Sequence, residues 1–324
     1  MTIHAYHRVV PPHRVAWDRI YPFRTATGPI KEYVKAKLKG ETSDVSLWQA
    51  IGRTVETMAH CYPRHHDVIW ATAQRSGHNW FSMIYTILVE RLFNGRVIDI
   101  QDVSKYRAHV YRHVSIRYDL NDHLTEFYFH LPIPRLMHNH SPYYLWYSNR
   151  KVLLQIRHPY DVIISKYYHG QYFLTMSFAR YLLTGTVRGV LEFFESWGRA
   201  LSEGRLRTVY CLKYESLRSD PVTEVQQVLE FLEFPAVPIS FVENAVDRTN
   251  SERVRNLEMQ RRGLDDPRLV RGARSGKIGQ STELSPSDRA ALESHVRKHL
   301  THTVGYLLQL IVVILTDLVE WLLS

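Results

Sequence analysis

The chain has 324 residues, 45% hydrophobic and 23% charged, enough for one large α/β domain or two small ones. That composition excludes intrinsic disorder and fibrous repeats. A formal charge of +9 admits an anionic partner, such as a phosphate, a sulfate or a nucleic acid, and equally a basic surface kept for solubility.

Residues 1–66 mix Pro, Gly, basic and aromatic residues and read as an N-terminal extension packed on a core, with helices expected over Ile30–Lys39 and Val45–Ala59. The first fourteen residues lack an apolar run, so no export is expected. Only Cys61 and Cys211 are present, without disulfide-framework or zinc-type spacing, which suits a reducing cytoplasm.

Asp67–Ala73 is a short apolar run with the pattern of a buried strand, and a turn follows at Gln74–Gly77. Trp80, Phe81, Ile84, Ile87, Leu88 and Leu92 then recur at helical spacing, which predicts a helix over His78–Leu92. Further strands are expected at Val97–Ile100, Leu136–His138, Lys151–Ile156 and Thr208–Leu212. Helices are expected over Pro159–Tyr168, Val187–Leu201 and Pro221–Leu232. Alternating buried strands and helices imply a three-layer α/β/α fold with a central parallel sheet, occupying residues 67–303. Residues 250–283 carry little apolar content and read as a surface loop or lid, and Ser285-Pro286-Ser287-Asp288 opens a last helix. The apolar tail, 304–324, reads as a helix with a narrow polar stripe. It is expected to pack on the chain or across a homodimer, membrane contact being the other reading.

Three constellations carry chemistry. In Arg75-Ser76-Gly77-His78-Asn79-Trp80, between first strand and first helix, backbone N–H groups and the helix dipole make an anion site. Arg75 adds charge, Ser76 and Asn79 add hydrogen bonds, and Gly77 permits close approach. The Lys and Ser/Thr of an ATP-type loop are missing, which disfavours a nucleotide-dependent phosphotransferase. In the second, Arg157 ends a strand and Ser165 follows eight residues later on a helix started by Pro159, so both can reach one phosphate. The third is His138-Asn139-His140. A neutral imidazole there can accept a proton from an attacking hydroxyl or amine. Two histidines with no third ligand nearby make a metal site a minor reading.

These segments resemble the sulfotransferases that use 3′-phosphoadenosine 5′-phosphosulfate (PAPS), with their P-loop-like fold. Arg75–Trp80 looks like the family's P-K-S-G-T-T-W loop, which holds the 5′-phosphosulfate. Arg157–Tyr168 resembles its R-[NH]-P-x-D-x-x-x-S segment for the 3′-phosphate. Tyr214-Glu215-Ser216-Leu217 is similar to Y-E-D-L, whose Tyr lies near the adenine. Arg274-Ser275-Gly276 is similar to the R-K-G loop that closes on the 3′-phosphate, and Pro134–Pro142 to P-R-L-x-K-T-H-x-P. The resemblance implies His140 as general base, Arg75 at the leaving phosphate and Trp80 on the adenine. His138 stands where the family has a second Lys. It also implies PAPS as co-substrate with no metal required and a small-molecule acceptor; no nucleic-acid recognition motif is visible, so no nucleic-acid partner is expected. A non-catalytic PAPS-binding protein is the alternative from another class. Tyr143, Tyr144, Trp146 and Tyr147 fit either an acceptor wall or the core.

Overall fold

The computed structural model describes residues 33–34, 37–38, 46–52, 67–101, 103, 111–113, 131–263 and 276–301. Residues 33–34, 37–38 and 47–52 are helical and fall within the two helices expected in the extension. The expected tail helix at 304–324 lies outside the described residues. Among the described residues no helix is long and apolar enough to cross a membrane.

The centre is β1 (Val68–Thr72), buried at all five positions. A strand covered on both faces reads as a continuous apolar run, and its alternate side chains serve two cores. Ile69 and Ala71 join one cluster, and Val68 and Trp70 the other. After β1 come α1 (His78–Asn94), β2 (Tyr111–His113), β3 (Leu136–Asn139), β4 (Lys151–Ile156) and α2 (Pro159–His169). Then follow α3 (Phe178–Leu182), α4 (Gly185–Ser202), β5 (Thr208–Lys213), α5 (Tyr214–Ser219), α6 (Pro221–Phe231), α7 (Ile239–Arg248), α8 (Ser251–Arg262) and α9 (Pro286–His299).

The sheet order is β2-β3-β1-β4-β5 and every pairing is parallel. One face is covered by α2, α3, α4 and α9, through Val162, Tyr181, Trp197 and Leu292. The other is covered by α1, α6 and α7, through Ile84, Val228 and Val242. This is the expected three-layer α/β/α fold. The registers Ala71↔Asn139, Thr72↔Gln155 and Ile156↔Lys213 bring the carboxyl ends of β3, β1, β4 and β5 out side by side. Because β3 and β4 flank β1 on opposite sides, the chain reverses its direction across the sheet there, and a crevice opens beyond the strand ends.

Two local expectations are corrected. Residues 97–99 are irregular and Ile100 enters a turn, so Val97–Ile100 is not a strand. Only Ile98 of that run is buried while Val97 is exposed, and the sheet edge is formed by Tyr111–His113 instead. Within 250–283, residues 251–262 form a regular helix, not loop. It has no apolar stripe to betray it. The Asn250 side chain accepts from Glu252 N–H, and Gly263 closes the far end at φ 58°.

Candidate active site

The turn after β1 is built by a buried polar residue in the neighbouring strand. Gln155 on β4 accepts from Trp70 Nε1 at 3.2 Å, and its Nε2 donates to Ser76 O at 3.0 Å. Its own carbonyl receives Ala73 N–H at 3.0 Å and Ser76 Oγ at 3.2 Å. The Ser76 hydroxyl, also donating to Ala73 O, is therefore turned inward and shapes the loop. Arg75 follows with φ 68° and Gly77 with φ 85°. A Cβ on Gly77 would stand 2.6 Å from Tyr214 Cδ2, so only glycine fits both the backbone and the ring. No side chain caps α1 at Gly77, which leaves its positive end facing the crevice. His78, Asn79 and Trp80 form the first turn of α1.

The carboxyl ends of β4 and β5 supply the second wall. Arg157 is 4% exposed and lies over the Tyr214 ring at 4.4 Å, its guanidinium reaching Arg75 O, Asp161 Oδ2 and, at 2.5 Å, Lys277 O. Asp161, in the first turn of α2 and buried, also accepts from Gly279 N–H at 2.9 Å and Gln280 N–H at 2.8 Å. It thus pins the 276–280 segment to the same place. Tyr214 donates to Gly276 O at 2.9 Å and meets Trp80 edge-on at 6.5 Å, and Trp80 Nε1 donates to Thr249 Oγ1. Arg75 Nε donates to Ser165 Oγ at 3.2 Å, so the two motifs named from the sequence converge. Arg274 and Ser275 lie outside the described residues.

The third wall is the end of β3. His140 Nδ1 lies 2.9 Å from Thr72 O and 2.8 Å from Thr72 Oγ1. A carbonyl only accepts, so the proton sits on Nδ1 and the lone pair on Nε2. His138 Nε2 is 2.8 Å from the same Thr72 hydroxyl. His140 and Pro142 line a cavity of about 280 Å³ with Ala73 and Gln74 of the turn, closed on its far side by Gly185, Thr186, Gly189, Glu192 and Phe193. Lys166 lines it too. Burial first, then the neighbouring Arg75, pushes the Lys166 ammonium down to about 8.

The structure thus gathers Arg75, Ser76, Gly77, His78, Asn79, Trp80, His138, His140, Arg157, Ser165, Tyr214 and Gly276 around one crevice. Sequence reasoning missed Gln155, Asp161 and Lys166 as working parts. Gln155 is one polar letter in an apolar strand. Asp161 and Lys166 stood inside the recognised segment without assigned work. The aromatics beyond His140 belong to the core: Tyr147 is buried and stacks on Trp197 at 5.3 Å. Tyr143, Tyr144 and Trp146 pack against the same cluster. The cavity wall comes from α4 instead.

A parallel sheet that brings an uncapped helix end, the buried Arg157, the half-buried Arg75 and an oriented imidazole to one crevice has the features of a group transferase that takes an anionic donor. Residues 65–304 match the sulfotransferase domain family, and the chain belongs to the PAPS-dependent sulfotransferases. It is 25% identical over 244 residues to cytosolic sulfotransferase 7 of Arabidopsis thaliana, covering 68% of this chain and 74% of that protein. It is 26% identical over 184 residues to sulfotransferase 1 family member D1 of Mus musculus, covering 52% and 60%. The crystal structure of retinol dehydratase in complex with retinol and PAP superposes with a TM-score of 0.52 at 16% identity, over 75% of this chain and 83% of that one, which shows the shared fold.

Proposed function

We propose that the chain transfers a sulfonate group from PAPS to a hydroxyl or amine of a small acceptor seated in the cavity beside His140. The observation that carries this reading is the fixed tautomer of His140. Its Nδ1–H is held by the Thr72 carbonyl, which makes Nε2 the basic nitrogen of a ring that lines the cavity where it meets the anion turn. The acceptor proton passes to Nε2 as its oxygen or nitrogen bonds to sulfur. The bond from sulfur to the bridging phosphate oxygen breaks, and 3′-phosphoadenosine 5′-phosphate (PAP) leaves with that electron pair. Arg75 and Lys166 neutralise the charge that develops on the leaving oxygen. Arg157 and Ser165, with Arg274, hold the 3′-phosphate, and Trp80 and Tyr214 flank the adenine.

A donor of this kind matches the PAP seen with retinol dehydratase. A cavity near 280 Å³ suits a small acceptor, and a cytoplasmic place accords with the plant relative's name. Calorimetric titration with PAP and with AMP tests the donor assignment. PAP binds about tenfold or more tightly than AMP, because the extra phosphate meets dedicated cations. Equal affinities overturn the roles of Arg157 and Ser165.

A further inference from the structure

Three imidazoles meet at the acceptor side of the crevice: His78 from the first turn of α1, His138 from β3, and His140 just past that strand. One ring nitrogen from each lies within 4.8 Å of the others, and among the described residues no other three His, Cys, Asp or Glu side chains meet this way. The ring centroids are 4.7 to 5.0 Å apart, with His78 and His138 stacked and His140 set edge-on to both. His138 is buried, and its ring lies tilted against that of Trp70 with centroids 4.7 Å apart.

An all-imidazole set selects zinc, copper or nickel over magnesium or calcium. Three imidazoles with a fourth position open are the ligand set of an exchangeable zinc site. The outer contacts suit ligation as well. A ligating histidine usually donates its other ring N–H to a carbonyl or carboxylate, as His140 does to Thr72 O, and His138 is tethered through the same residue's hydroxyl. Zinc–nitrogen bonds of about 2.0–2.1 Å place tetrahedral ligands about 3.3 Å apart, so closure asks the rings to swing inward by roughly an ångström or more.

We propose that His78, His138 and His140 bind one Zn²⁺ per chain and that the bound ion switches transfer off. The second half follows from the fixed tautomer. With Nδ1–H held by Thr72, His140 has one lone pair, on Nε2, and zinc takes the pair that the acceptor proton needs. Only this second half rests on the sulfotransferase reading.

The test uses the full chain, freed of metal by a chelator and then titrated with zinc chloride by calorimetry, with Co²⁺ absorption as a probe of coordination. Expected are one zinc per chain, a tetrahedral cobalt spectrum, and an affinity loss of about tenfold or more in both His78→Gln and His138→Gln. Far-UV circular dichroism and urea unfolding of each variant check that it is folded. No stoichiometric binding by the unaltered protein, an octahedral cobalt spectrum, or zinc affinity unchanged in a variant that combines His78→Gln and His138→Gln overturns the site. Turnover of radiolabelled PAPS falls in step with zinc occupancy and returns on chelation. Undiminished turnover at full occupancy overturns the switch. Absence of turnover in the zinc-free protein, with zinc still binding, would instead condemn the transferase reading.

Discussion

Replacing Gly77 by alanine strikes the narrowest point of the turn after β1, which we propose holds the donor. At φ 85° a side chain brings about 1–2 kcal/mol of backbone strain. The new Cβ, 2.6 Å from Tyr214 Cδ2, also forces the ring to move. Overpacking of that kind costs about 1–3 kcal/mol, giving a total of about 2–5 kcal/mol. A domain stability near the middle of the typical range, about 10 kcal/mol, exceeds such a loss, so the variant folds. The ring cannot move alone, because its hydroxyl holds Gly276 O and its face carries Arg157. Donor affinity therefore falls together with stability. Urea unfolding and PAP calorimetry read the two effects. A midpoint and a PAP affinity both matching the parent protein would refute the reasoning.

Lys166 is a cation that titrates near the working pH. Its ammonium is held down to about 8 by burial and by Arg75, so in the free protein it loses its proton as pH rises through that value. The donor kcat/KM, which reports the free enzyme, declines above about pH 8, and Lys166→Arg removes that limb because arginine stays charged. The same high-pH limb in the variant would discharge Lys166 from the role. Asp161→Ala strips Arg157 of a buried partner and releases two backbone N–H groups, costing about 3–5 kcal/mol. Hydrogen exchange at Gly279 and Gln280 accelerates, and unchanged protection there would contradict the clamp.

The fold was legible where burial dictated the letters. β1 and β4 are covered on both faces, so each appears as a mainly apolar run, interrupted in β4 by Gln155, and the β4 bounds match those expected. Patterning failed where burial was partial. Val97–Ile100 imitates a strand because a short apolar run has no period of its own, and α8 hid because helix formers and two caps make it without an apolar stripe. At the site, Arg75, Arg157 and Ser165 were legible as contiguous motifs. The company of His78 was not. Its place in the turn suggested the donor, whereas its ring meets His138 and His140, sixty residues on, because β1 and β3 are parallel neighbours with level ends. Lys166 was hidden by its neighbour Ser165, and its bearing on the cavity depends on how α2 sits over the turn.

The central claim, that His140 takes the acceptor proton during sulfonate transfer from PAPS, is tested most directly by His140→Ala. Radiolabelled PAPS is followed against a panel of small hydroxyl and amine acceptors, with PAP affinity measured on the same preparation. The account predicts turnover reduced by about 10² to 10⁴ with PAP affinity preserved, since a positioned base contributes on that order and His140 stands on the acceptor side of the crevice. Parental turnover in the variant would contradict it.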